Sequence, residues 1–83
     1  MSNGVEPLSN LAMGERGTVV RLEGGHGLIG RLVALGFTPG ATIEVVRNGR
    51  HGPLIVSVLD TCIALGRGQA DRVHVARGGG PTA

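Results

Sequence analysis

The stretch LVALGFTPGATIEVV, residues 32–46, changes period in its middle, and that change decides the fold. Leu32 and Leu35 continue a helical spacing begun at Leu28, whereas Ile43 and Val45 alternate with polar neighbours as in a half-buried strand. Between the two halves lie Gly36, Phe37, Thr38, Pro39 and Gly40. Gly36 falls just past the helix, where a left-handed residue closes the last turn and glycine alone adopts that backbone without steric cost. Pro39 sets φ at the second position of a type II turn, and Gly40 supplies the positive φ that the third requires. The segment is therefore a helix stop, a sharp reversal and a strand start, and it carries no catalytic group.

Working outward, residues 27–35 read as one helix with Leu28, Leu32 and Leu35 along a stripe and Ile29 and Val33 beside it. Gly30 inside that helix costs about 1 kcal/mol relative to alanine, so packing must hold it. Before the helix, RGTVVRLEGG alternates, with Thr18, Val20 and Leu22 on one face and Val19, Arg21 and Glu23 on the other. Further upstream, PLSNLAMGERG fits one short helical turn, with Pro7 at a first-turn position and Gly14 ending it. Downstream, Asn48-Gly49 is a hairpin signal. LIVSVL then turns Leu54, Val56 and Val58 inward, TCIALG turns Ile63 and Leu65 inward, RGQAD forms a turn or short helix, and RVHV ends with Val73 and Val75 inward.

The architecture expected is mainly β: a small, strongly bent, SH3-like barrel of about five strands, with one inserted α-helix and a short N-terminal helical turn. A sheet this small protects its edges best by curling. The 83 residues make one domain, 1–83, with an ordered core of about 7–76 and flexible tails at 1–6 and 77–83. One cysteine, Cys62, excludes an internal disulfide and fits a reducing compartment. No secretory signal and no run of about 20 apolar residues is visible, so the expected setting is cytoplasmic, without membrane insertion.

The chemistry that these residues allow is narrow. Eight basic and six acidic residues leave a net charge of +2, and every basic residue is an arginine, spread along the chain. Phe37 is the sole aromatic residue, so no stacking platform for single-stranded nucleic acid exists. No serine, threonine or cysteine lies in a recognisable nucleophile context, which argues against an enzyme, and GGHGLIGR lacks the Gly-Lys-Ser/Thr ending of a phosphate-binding loop. Cys62 and His74 both alternate away from the core and are the candidate metal ligands, for Fe(II) or Zn(II), on an outer face where a dimer contact would let them meet. No ligand pair has zinc-like spacing, and a surface thiol and a surface imidazole are the simpler reading. His26 and His51 read as solvated loop residues. Ile55 and Leu59 face outward if Leu54, Val56 and Val58 face inward; with Ile29 and Val33 they make either a contact patch or the outer side of a two-sided strand.

Taken in order, PLSNLAMGERGTVVRLEG, RLVALGFTPGATIEVV, GPLIVSV and IALGRGQADRVHV resemble the ferrous iron transport protein A (FeoA) family over about residues 8–75. The Leu-Gly-Phe-x-Pro-Gly turn is the most specific part. One departure is that Gly52 meets Pro53 directly where the family often reads Gly-Asp-Pro. The resemblance implies an SH3-like barrel in the cytosol, accessory to the membrane ferrous iron permease that carries a cytosolic GTPase domain. It implies no metal-ligand set, because the matched residues are apolar or turn-forming. Together the two readings give an interaction module with no required cofactor. Leu32 and Leu35 are expected to anchor the helix, and Ile29, Arg31, Ile55 and Leu59 to make direct contact, with a homo-oligomer also allowed. The alternatives are a metal-responsive domain using Cys62 and His74, and a small nucleic-acid-binding barrel.

Overall fold

The helix stop predicted at Gly36 is present in detail in the computed structural model, which describes residues 4–49 and 51–78. Helix α1, His26–Ala34, ends with Leu35 as its cap and Gly36 at φ +107. The Gly36 N–H donates to the Val33 carbonyl at 2.9 Å and the Phe37 N–H to the Leu32 carbonyl at 3.0 Å. This pair of bonds is a Schellman closure, and its usual apolar contact is supplied by Leu32 and Phe37, both fully buried in one core. Ala41 N–H then closes the Thr38–Ala41 reversal on the Thr38 carbonyl at 2.9 Å, with Gly40 at φ +96.

That reversal is tied to strand β2, Arg16–Leu22, because Val19 and the turn exchange two backbone hydrogen bonds. Gly40 N–H donates to the Val19 carbonyl at 2.7 Å, and Val19 N–H to the Ala41 carbonyl at 2.8 Å. The chain continues through β3 (Thr42–Arg47), β4 (Leu54–Val58), β5 (Thr61–Leu65), the short helix α2 (Arg67–Ala70) and β6 (Val73–Arg77). Strand β1, Val5–Pro7, and a 3-10 turn, Leu8–Asn10, precede them. The described residues form one antiparallel sheet of order β1-β6-β2-β3-β4-β5, mainly β as expected. It curls around Leu8, Leu11, Leu32, Phe37 and the inward residues of five strands, with no buried polar or charged residue among those described. Complete burial of Phe37 alone is worth roughly 1.5–3 kcal/mol.

Four expectations need correction. There are six strands, not about five. The missed one, β1, lies where a fraying tail was expected, and residues 1–3 and 79–83 of the expected tails fall outside the described residues. Three residues ending in proline carry no periodic signal; Pro7 is tolerated because β1 is an edge strand and proline has no N–H to give the ladder. Pro7 thus precedes the 3-10 turn rather than opening it. Arg77, expected in the other tail, closes β6. The faces of β2 also differ: Val19 is buried and Val20 is exposed. The register slips between Val19 and Arg21, so Val20 is bulged outward and both Val19 and Leu22 pack on the core.

Candidate functional site

The hairpin joining β4 to β5 turns on Leu59 and Asp60, at φ 52° and 61°. Two consecutive positive φ values between paired Val58 and Thr61 are the signature of a type I′ turn, which asparagine and glycine favour. Aspartate tolerates the left-handed region, whereas a leucine there costs roughly 1–2 kcal/mol. Leu59 is nonetheless 74% exposed, the most exposed large apolar side chain described. It leans over the end of α1: a Cβ built on Gly36 would stand 3.0 Å from Leu59 Cδ1 and 3.5 Å from Val58 Cγ2. Leu35, next to Gly36, and Val33, one turn back, are also exposed. The helix end and the hairpin turn therefore bring Leu35 and Leu59 together around Gly36 as one apolar ridge, whereas Val33, two residues before Leu35, points to another side of the helix.

Of the six residues expected to serve a partner, the structure groups only some. Leu32 is fully buried and anchors the helix in the core, with no surface exposed to a partner. Leu35 does not anchor the helix; it is the exposed cap residue. Arg31 is exposed and Ile29 half-buried on α1. Ile55 is half-buried on the outer face of β4 between Arg47 and Ala64, at the far end of the strand from the turn. Leu59 does not continue that outer face, because it has left the strand for the turn. Val33, grouped in the sequence with Ile29, Ile55 and Leu59, is exposed on α1; that the chain curls its hairpin onto the end of α1 is a tertiary fact.

Cys62 is exposed on edge strand β5, opposite Ser57. His74 lies on β6, its Nε2 2.8 Å from Glu23 Oε1, and both the hydrogen bond and the charge of His74 hold the Glu23 carboxyl below its ordinary range. Strands β2, β3 and β4 separate the two in the sheet order, so no ladder contact brings them together. Among the described residues no group of three or more His, Cys, Asp or Glu is placed to hold a metal ion. His26, expected in a loop, is the first residue of α1, and His51 is exposed in the loop before β4.

The charged residues mostly fasten the barrel. Arg77 on β6 grips Glu6 of β1 through two bonds, Nε to Oε2 at 2.9 Å and Nη2 to Oε1 at 3.0 Å, and also pairs with Glu15. The Arg77 hydrogen bond holds the Glu6 carboxyl below its ordinary value and pushes the guanidinium still higher. Asn48 was read as a hairpin tip, but β3 and β4 are joined by a longer loop and its amide is a brace. Its Nδ2 donates to the Ser9 carbonyl at 3.2 Å and the Leu11 carbonyl at 2.7 Å. No helix among the described residues is long and apolar enough to cross a membrane.

Comparison with known proteins agrees with this architecture. The FeoA domain matches residues 6–77. A protein of Methanocaldococcus jannaschii, provisionally named Fe(2+) transport protein A, is 38% identical over 69 residues, which are 83% of each chain. A crystal structure of an iron uptake regulatory protein, FeoA, superposes with a TM-score of 0.84 at 45% identity, covering 88% of this chain and 97% of that one. FeoA of Stenotrophomonas maltophilia, solved with zinc and described as a procaryotic SH3 domain protein, gives a TM-score of 0.76 at 32% identity. It covers 83% of this chain and 87% of that one. With the barrel, the Gly36 helix stop and the Pro39-Gly40 reversal all in place, the chain belongs to the FeoA family of ferrous iron transport.

Proposed function

We propose that this protein is a cytoplasmic accessory of ferrous iron uptake that docks on the cytosolic, GTPase-bearing part of the iron permease. It works by contact rather than by catalysis. The observation that carries this reading is Leu59: a large apolar side chain, left in solvent, in a turn whose backbone disfavours leucine. Strain retained at an exposed position is a mark of function, and apolar anchors of this kind dominate interface energetics. Leu35 extends the contact, and Arg31, one turn before it on the same helix face, offers a charge at its rim.

The test is titration calorimetry with the permease's purified cytosolic domain. Leu59→Asn suits the turn better than leucine and so keeps the fold, and it should weaken binding at least tenfold, about 1.4 kcal/mol. Met13→Asp, exposed elsewhere on the barrel, should leave binding unchanged. Equal affinity of the Leu59→Asn and parent proteins would remove this ridge from the interface.

A further inference from the structure

Asn48, Gly49 and His51, ahead of β4, and Arg67, the first residue of α2, line a shallow, open surface pocket of about 630 Å³. Its central group is the Arg67 guanidinium. Nη2 donates to Asn48 Oδ1 at 2.7 Å and to the Gly49 carbonyl, so two neutral acceptors hold the cation in place. Asn48 is itself fixed by the Ser9 and Leu11 carbonyls, which ties the guanidinium to the N-terminal turn.

No described carboxylate neutralises this charge. Glu6 and Glu15 are taken by Arg77, Glu23 by His74 and Glu44 by Arg16, and Asp60 lies in the β4–β5 turn, at the opposite end of β5 from Arg67. Asp71, four residues after Arg67, accepts from the Ser9 hydroxyl instead. Arg67 Nε is also buried with no acceptor among the described residues, and a buried N–H in that condition bears its full desolvation penalty. Among the described residues the lining has hydrogen-bond donors in Arg67 and His51, no acid, and no large apolar side chain.

From this immobilised, unneutralised guanidinium beside His51 we infer that the pocket is a binding site for a small oxyanion, a carboxylate or a phosphate group. It is distinct from the apolar ridge and does not depend on it. Such a ligand gains a charge-assisted hydrogen bond from a donor already oriented, so little ordering remains to oppose binding.

Proton–nitrogen NMR spectra of the full chain, titrated with inorganic phosphate and separately with acetate at constant ionic strength in chloride, test the inference. Saturable shifts confined to Gly49, His51 and the Arg67 Nε–H are expected, with Kd of about 1 mM or tighter for at least one anion. The anion that saturates first identifies the head group. Arg67→Gln should weaken binding at least fivefold. Because Arg67 also braces Asn48, the exposed His51→Ala serves as the second variant and should weaken binding at least twofold with the sheet signals unmoved. A linear response to both anions that matches chloride, or an affinity unchanged in both variants, overturns the site.

Discussion

Replacing Gly36 by alanine tests the joint between α1 and the β4–β5 hairpin with a single methyl group. Gly36 has φ +107, so any L side chain there meets a backbone cost of roughly 1–2 kcal/mol. Alanine recovers about 0.4–1 kcal/mol by restricting the unfolded chain. The new Cβ also stands 3.0 Å from Leu59 Cδ1 and 3.5 Å from Val58 Cγ2. Leu59 is exposed and yields by a rotamer adjustment, at about 0.5–1 kcal/mol, whereas Val58 is buried and does not. The net loss is about 0.5–2.6 kcal/mol, centred on about 1.5, which is a fall in Tm of about 6–12 °C at the centre for a domain of this size. Gly40→Ala is the control: its φ is +96, but nothing lies within 4 Å of its Cβ, so only the backbone part remains. Gly30→Ala, in the exposed middle of α1 with open space around it, should act in the opposite sense and raise Tm by about 4–8 °C. Thermal unfolding followed by circular dichroism measures all three. A Leu59→Ala change in the Gly36→Ala background should bring its cost down to that of Gly40→Ala. If Gly36→Ala costs no more than Gly40→Ala, or Leu59→Ala recovers nothing, the hairpin does not pack on the helix end as described.

Further predictions concern the fastenings and the candidate ligands. Asn48→Ala removes two bonds to the N-terminal turn and one to Arg67, and should cost about 2–3 kcal/mol at about 1 kcal/mol per bond; the urea midpoint reads this, and Asn48→Asp should not rescue it because a carboxylate cannot donate. The folded-state pKa of Glu6 lies below its ordinary value of 4.5, so its pairing with Arg77 contributes fully above that value and is lost as pH falls through the lower folded pKa. Urea unfolding from pH 6 to 2 should accordingly show a smaller loss of stability below pH 4.5 in Glu6→Gln than in the parent. Zinc titration should give the same weak response for the parent and for Cys62→Ser, since Cys62 and His74 sit three strands apart; stoichiometric binding abolished by Cys62→Ser would contradict the described placement.

The helix stop and reversal at residues 36–40 were legible because local backbone chemistry dictates them: glycine at positive φ and proline before it leave few alternatives. The inward faces of β3, β4 and β6 followed from alternation for the same reason. The faces of β2 did not, because the bulge at Val20 lies beside Val19, which exchanges hydrogen bonds with Gly40 and Ala41 of the reversal, far along the chain. Asn48-Gly49 marked the β3–β4 hairpin correctly, but the bracing role of the Asn48 side chain, which answers to Ser9 and Leu11, depends on the tertiary fold. The ridge was half legible: Leu59 stood out as apolar on an outer face, but its turn and its approach to Gly36 belong to the tertiary fold. The family was readable from the order of the turn and strand motifs, whereas the Arg67 pocket depends on which carboxylates are already paired, and no spacing rule reports that.

The Arg77 clasp has a geometric corollary. Val5 stands beside Ala76, so the first and last strands leave the barrel as neighbours, bound by one guanidinium. A domain grafted before β1 and one grafted after β6 would emerge from the same spot.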